Sequence, residues 1–190
     1  MVAINKAYEL ARLRKIARIT RSGHILDIGY AQMPNPYYKG VTCVGLDLLE
    51  PTVDCKYAET IVGNALELPE ALGSRRFDWI VAGEFIEHIR RPYDFLESLH
   101  GFLAPGGQIV LSTPNPIAWP TIIFEWAQSE SRFYTKEHLY YFPPRWVKRM
   151  LDVSGYDLVD TIPVGLWLPK FVLPCPAFLS YQVIYLAKPR

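Results

Sequence analysis

Short apolar runs, set apart by turn-rich or helix-compatible stretches, constrain this chain more than any other feature. They are Ile25–Ile28, Val41–Leu46, a weaker Thr60–Gly63, Phe77–Ala82 and Gln108–Ser112. Runs this short and this apolar suit strands buried on both faces, and strands alternating with helices predict an α/β fold with a mainly parallel sheet. A first helix is expected over 3–19, where Ile4, Ala7, Tyr8, Ala11, Leu13 and Ile16 recur at helical spacing with basic residues between them. Further helices are expected over Tyr93–Leu103 and Trp146–Val153, the second stopped by Gly155, with a turn at Pro105-Gly106-Gly107. Tyr156–Pro163 and Tyr181–Ala187 read as closing strands.

The length of 190 residues suits one domain, and neither a repeat nor a linker divides it. The expected organisation is a single domain over 1–190, with a basic amphipathic helix in 1–22 and a substrate-cap insertion at 114–145. A formal net charge of +1 supplies no field to draw in nucleic acid, so none is expected as a partner. Cys43, Cys55 and Cys175 show no metal-type spacing and cannot all pair, which points to a reduced, cytoplasmic setting. No run of apolar residues reaches the length of a spanning helix.

Ligands of parallel α/β sheets bind beyond the carboxyl ends of the strands, where strand order reverses. That rule singles out Asp27-Ile28-Gly29, Asp47, Asn64, Gly83-Glu84 and Thr113-Pro114-Asn115. Asp47 lies 20 residues beyond Asp27, where a carboxylate can accept from both hydroxyls of a ribose; a helix cap is the plainer reading. Asn64 offers the donor and acceptor that an adenine edge requires, or serves only as a turn residue. After Gly29 the chain places Ala31, Met33, Pro34 and Pro36 where a dinucleotide loop needs glycines to reach a pyrophosphate. A cofactor without phosphates makes no such demand, which points to S-adenosylmethionine.

The same segments resemble the class I S-adenosylmethionine-dependent methyltransferases, especially the branch related to ubiquinone and menaquinone biosynthesis (methyltransferase type 11-like). HILDIGYA resembles the family's first motif, VGLDL its second and VGNALELP its third. FDWIVAGEFIEHIRRPYDFLESLHGFLAPGGQIVLSTPN resembles the fourth-strand motif through the fifth strand, and EHLYYFPPRWVKRMLDVSGYDLV the next helix and strand. The resemblance implies a Rossmann-like, seven-stranded, mainly parallel sheet with helices on both faces and an aromatic-rich insertion after strand five. It implies that Asp27 and Gly29 surround the methionine end of the cofactor, Asp47 the ribose, and Asn64 and Ala65 the adenine. Glu84 and Phe85 would line the cofactor after strand four, and Tyr30 and Leu48 complete the expected binding set. Asn64 stands where the family usually has aspartate.

The expected reaction is methyl transfer to a small molecule, oxygen preferred, leaving S-adenosylhomocysteine. Alignment of donor and acceptor supplies much of the rate, and an oxygen acceptor can need a base. Of the four histidines, His24 and His100 read as structural or exposed; His88 and His138 are the candidates for catalysis, each with a structural alternative. No metal is expected, since no His-Glu pattern at helical spacing and no Cys-x-x-Cys occurs; Glu84, Glu87 and Asn115 are the nearest approach. The insertion carries Trp119, Phe124, Trp126, Phe133, Tyr134, Tyr140, Tyr141 and Phe142, suited to an aromatic or sugar acceptor or to a small cap core. The apolar tail Gly165–Phe178 could join the basic first helix in a peripheral membrane patch, form a dimer interface, or belong to the core. The chain is expected to be a monomer or homodimer. The competing functional reading is a non-catalytic methyltransferase-fold module or partner subunit, its cofactor loop weakened by Ala31 and Met33. A nicotinamide-dependent oxidoreductase fails on the missing glycines.

Overall fold

The computed structural model describes residues 6–127, 137–168 and 171–190. Its strands are β1 (His24–Ile28), β2 (Thr42–Asp47), β3 (Glu59–Val62), β4 (Phe77–Gly83), β5 (Leu103–Pro114), β6 (Tyr156–Pro163), β7 (Leu166–Leu168), β8 (Phe171–Leu173) and β9 (Gln182–Pro189). Its helices are α1 (Lys6–Ile19), α2 (Leu68–Leu72), α3 (Pro92–Leu99), α4 (Trp119–Ala127) and α5 (Pro144–Val153). Seven strands form one sheet in the order β3-β2-β1-β4-β5-β9-β6. Neighbours from β3 to β5 run parallel, and β9 is antiparallel to both β5 and β6. This is the Rossmann-like sheet that the sequence predicts.

The runs that read as buried strands are buried because both faces are covered. Successive side chains of a strand point to opposite faces. Leu26, Ile28, Ile80, Ala82, Ile109 and Leu111 accordingly share one core with residues of α2, α3 and α5. Ile25, Val81, Val110 and Ile184 share the other with Tyr8 and Ile16 of α1. Complete burial of one such aliphatic side chain contributes about 1.5–3 kcal/mol. Val164 and Val172 join the α1 core, so part of the apolar tail is core of this domain; β7 and β8 pair as a small hairpin.

Three local expectations change. The helix expected over Tyr93–Leu103 stops at Leu99, gives way to a tight turn at His100–Phe102, and Leu103 already belongs to β5. Pro105-Gly106-Gly107 does not end a strand. It bulges inside β5, where the partners of Phe77 and Trp79 jump from Leu103 to Gln108, and Gly106 takes φ +79° to make the bend. The basic face of α1 is incomplete, because Arg12 is buried with Tyr8 and Ile16, one turn away on either side. Ile4, Phe133 and Tyr134 lie outside the described residues. In the described part of the insertion Trp119 is 61% and Trp126 89% exposed. Among the described residues no helix is long and apolar enough to cross a membrane.

The strand order reverses at β1, which has β2 on one side and β4 on the other. The carboxyl ends of these strands converge there.

Candidate cofactor site and acceptor end

Alternation along β1 turns Asp27 toward the α1 face, where it is 7% exposed. The Tyr57 hydroxyl donates to its Oδ2 at 2.5 Å and itself accepts the Asn35 N–H at 2.8 Å. Burial pushes the Asp27 carboxyl up to about 6, against the opposing pull of Tyr57 and of the Arg12 charge. Burial and the Asp27 charge together hold the Tyr57 phenol far above its ordinary range, so it stays a donor. The end of β1 is thus a carboxylate whose charge is costly until a cation relieves it.

Gly29 follows with φ +73°, and a Cβ placed there would lie 2.7 Å from Cδ2 of Phe85. Only glycine takes that bend beneath that ring. The next two side chains turn inward: Ala31 is fully buried and Tyr30 is 3% exposed. The Tyr30 ring seats on Gly45, where a Cβ would lie 2.5 Å from it, and meets the Tyr57 ring at a centroid distance of 5.0 Å. The loop closes as a turn from the Met33 N–H to the Tyr30 carbonyl at 2.9 Å. Ala31 therefore does not crowd the approach to the loop, while Tyr30 spends its side chain on the core.

Asp47 ties the two strand ends together: its Oδ2 accepts the Ala31 N–H at 2.9 Å and its Oδ1 the Leu49 N–H at 3.1 Å. Each oxygen retains a second lone pair, so capping the loop and accepting a ribose hydroxyl are compatible. The Asp47 carbonyl takes the Gly63 N–H at 2.8 Å, which brings Asn64 alongside. Asn64 acts as a turn residue through Oδ1, which accepts the Leu66 N–H at 3.0 Å. Ala65 is buried and Leu48 is 66% exposed.

At the end of β4, Glu84 has φ +54°, a left-handed conformation in a residue other than glycine. Such strain collects at functional positions. Its N–H donates to the Ser112 carbonyl at 2.9 Å, and the Ser112 hydroxyl donates to Glu84 Oε1 at 3.0 Å. Arg12 reaches the same hydroxyl at 3.3 Å while its Nε and Nη2 clasp Glu9 at 2.9 and 2.7 Å. Gly83 admits that guanidinium, since a Cβ there would sit 2.4 Å from Nη1. Burial drives Glu84 toward its neutral form and Arg12 opposes it. Arg12, Ser112 and Tyr57 thus belong to the site, though none was a sequence candidate. Arg12 had a legible signal, its place four residues from both Tyr8 and Ile16; Tyr57 had none.

Beyond Glu84, a tight turn spans Ile86–His88. Glu87 is 1% exposed, and neither of its carboxyl oxygens has a partner. The carbonyl of Glu87 accepts the Leu139 N–H at 2.8 Å, docking the returning end of the insertion. His138 is thereby set against His88, ring to ring at 4.6 Å. Burial, helped by His88, lowers His138 to about 4, and its Nδ1 is buried without a partner. Nδ1 of His88 lies 3.2 Å from the Glu137 carbonyl. The two catalytic candidates are therefore neighbours. His100 is structural, bonded to the Ser154 carbonyl at 2.8 Å and stacked on Tyr156, and His24 is exposed. Asn115 is structural too, its amide donating to the Ala177 and Ser180 carbonyls at 2.8 and 3.2 Å.

Residues 4–161 match the family model described as a methyltransferase domain. The ubiquinone biosynthesis O-methyltransferase of Pseudomonas entomophila (strain L48) is 29% identical over 115 residues. That alignment takes in 54% of this chain and 45% of the relative, so the chain spans under half of the relative's length. A SAM-dependent methyltransferase from Archaeoglobus fulgidus superposes with a TM-score of 0.68 at 18% identity, covering 95% of this chain and 92% of that one. A SAM-dependent methyltransferase from Thermotoga maritima, described as a possible histamine N-methyltransferase, superposes with a TM-score of 0.70 at 17% identity, covering 97% and 90%. At such identities the superpositions speak for the fold.

Proposed function

The chain belongs to the methyltransferase domain family, and from that premise we propose that it uses S-adenosylmethionine to methylate a small molecule, preferentially at oxygen. The observation that carries the reading is the pair of carboxylates, Asp27 and Asp47, on either side of the Gly29 bend. When bound, the cofactor supplies an electrophilic methyl group on a sulfonium. Asp27 would face the charged amino-acid end, which relieves the cost of its buried charge. Asp47 would accept from the ribose hydroxyls, with Asn64 and Ala65 beside the adenine and Phe85 and Glu84 lining the other wall. Nothing in this set demands a phosphate.

The acceptor enters from the side of β4 that carries His88 and His138. Its oxygen lone pair forms the new bond to the methyl carbon as the carbon–sulfur bond breaks, and the acceptor's proton passes to one of the two imidazoles, His88 or His138. Two imidazoles and a buried carboxyl at that end are the groups a hydroxyl acceptor needs and an already nucleophilic sulfur does not. The aromatic side chains of Tyr93 on α3, Tyr141, Phe142 and Trp146 on α5 line a recess, whose Tyr141 ring lies 5.6 Å from His138. That recess suits a planar acceptor such as a phenol or quinone-like ring.

Calorimetric titration of the protein and of Asp47→Ala with S-adenosylmethionine, S-adenosylhomocysteine and NAD tests the cofactor. The sulfur nucleosides should bind the wild type and lose at least about tenfold in the variant, with no response to NAD. Absence of binding to folded wild-type protein would refute the enzymatic reading and leave the non-catalytic module.

A further inference from the structure

Glu87 has no partner in a fold that partners its other buried acids. Asp27 has Tyr57, and Glu84 has Ser112. A carboxyl taken out of water without a hydrogen bond is expensive, and Glu87 is 1% exposed. Both oxygens are orphaned. The unpartnered Nδ1 of His138 lies in the same place. One ligand atom each from Glu87, His88 and His138 all fall within 4.8 Å of one another.

We propose that Glu87, His88 and His138 form a binding site for a divalent transition metal of the zinc class. Two imidazole nitrogens and one carboxylate oxygen suit Zn²⁺, Co²⁺ or Mn²⁺ better than Ca²⁺ or Mg²⁺. Ligands about 2.1 Å from one ion stand roughly 3–4 Å apart, so closing the cluster takes side-chain shifts of about an ångström. The frame is already set. The Leu139 N–H to Glu87 carbonyl bond fixes the two segments that carry the ligands. The Glu137 carbonyl is placed to take a proton on His88 Nδ1, which leaves Nε2 as the lone-pair donor, a common arrangement behind metal-bound histidines. Binding would give a Glu87 carboxyl oxygen and the His138 ring the partner they lack.

Three protein ligands leave open positions on the ion, and the site adjoins Glu84 at the acceptor end. The role assigned to it rests on the methyl-transfer reading: with the imidazoles engaged as ligands in place of a base, a hydroxyl oxygen of the acceptor would ligate the ion, lose its now more acidic proton to water and attack as the oxyanion. The substrate class narrows to acceptors with a metal-binding phenol or enol oxygen.

The test needs neither cofactor nor acceptor. The full chain, stripped of metal by a chelator, is titrated with Co²⁺ and the visible ligand-field bands are followed, then Zn²⁺ is added as competitor. One equivalent should bind, with bands typical of nitrogen and oxygen ligands and displaced by Zn²⁺. Glu87→Gln and His138→Ala should each weaken binding about tenfold or more, with circular dichroism unchanged in at least one of the two. Absence of the bands, thiolate-type absorption, or an affinity that survives both substitutions would overturn the site. Because the readout omits methyl transfer, a failed metal site leaves the enzymatic reading standing. A failed cofactor titration likewise leaves the metal site intact.

Discussion

Replacing Asp27 by asparagine should make the protein without cofactor more stable at neutral pH while weakening its hold on the cofactor. The Asp27 carboxyl titrates near 6 in the folded chain against an ordinary value of 3.8. Between those values the native state holds a proton that the unfolded chain has lost, so stability falls as pH rises. The contribution is complete below the unfolded value and gone above the folded one, a loss of about 3 kcal/mol. Asparagine keeps an oxygen for the Tyr57 hydroxyl but cannot ionise, so the variant loses this slope. Urea unfolding of both proteins from pH 4 to pH 8 measures it, with the difference between them cancelling the titration of Glu84 and Glu87. The variant should gain about 2.4 kcal/mol on the wild type across that range, the remainder of the ~3 kcal/mol lying below pH 4. With cofactor the sign inverts: an ammonium or sulfonium beside Asp27 favours the charged carboxylate, so wild-type affinity should rise with pH through about 6, and the variant should bind weakly at every pH. A stability difference that stays flat with pH would refute the desolvated carboxylate and with it this account of the cofactor pocket.

Two further substitutions probe the same end of the sheet. Gly29→Ala meets both a φ of +73° and the Phe85 ring; it should lower stability by about 1–3 kcal/mol, read from the shift of the urea midpoint, and a neutral result would deny the close approach of Phe85. Tyr57→Phe removes the donor at 2.5 Å from Asp27. Its loss should raise the Asp27 titration point further, seen in carboxyl carbon NMR, and cost about 1.5–3 kcal/mol of stability at pH 8.

The sheet was legible because a strand covered on both faces must be apolar throughout, and Ile25–Ile28 and Phe77–Ala82 have few other ways to be buried. Strand-end residues followed from topology, so Asp27, Asp47 and Glu84 could be named without coordinates. The misread elements share a cause: the local signal was real but tertiary contacts reassigned it. Pro105-Gly106-Gly107 has every mark of a turn, yet pairing of Leu103 with Phe77 carries the strand across it as a bulge. Arg12 sits among five other basic residues of the first 21, and composition alone assigns it to solvent. Its burial depends on Ser112, a hundred residues away, and on the absence of a side chain at Gly83. The pairing of His88 with His138 across 50 positions was beyond any spacing rule, because the contact is made by the return of the insertion and not by one helix.

The glycines missing after Gly29 take their meaning from the glycines that remain. A phosphate-binding loop spends glycine so that a ligand can approach bare backbone. Here the approach at three positions is made by the protein itself. Phe85 lies over Gly29, Tyr30 over Gly45, and the Arg12 guanidinium over Gly83, each at a distance a Cβ would forbid. The strand ends are therefore packed by aromatic rings and a buried ion pair instead of being left open for a pyrophosphate. What they offer under the proposed reading is carboxyl groups: Asp27 and Asp47 toward the first half of the sheet, and Glu84, strained and coupled to α1 through Ser112 and Arg12, toward the second. A buried carboxylate such as Asp27 would favour a cationic ligand. Because α1 supplies the arginine that acts on both Asp27 and Glu84, movement of that helix would change the electrostatics of the proposed cofactor and acceptor ends together.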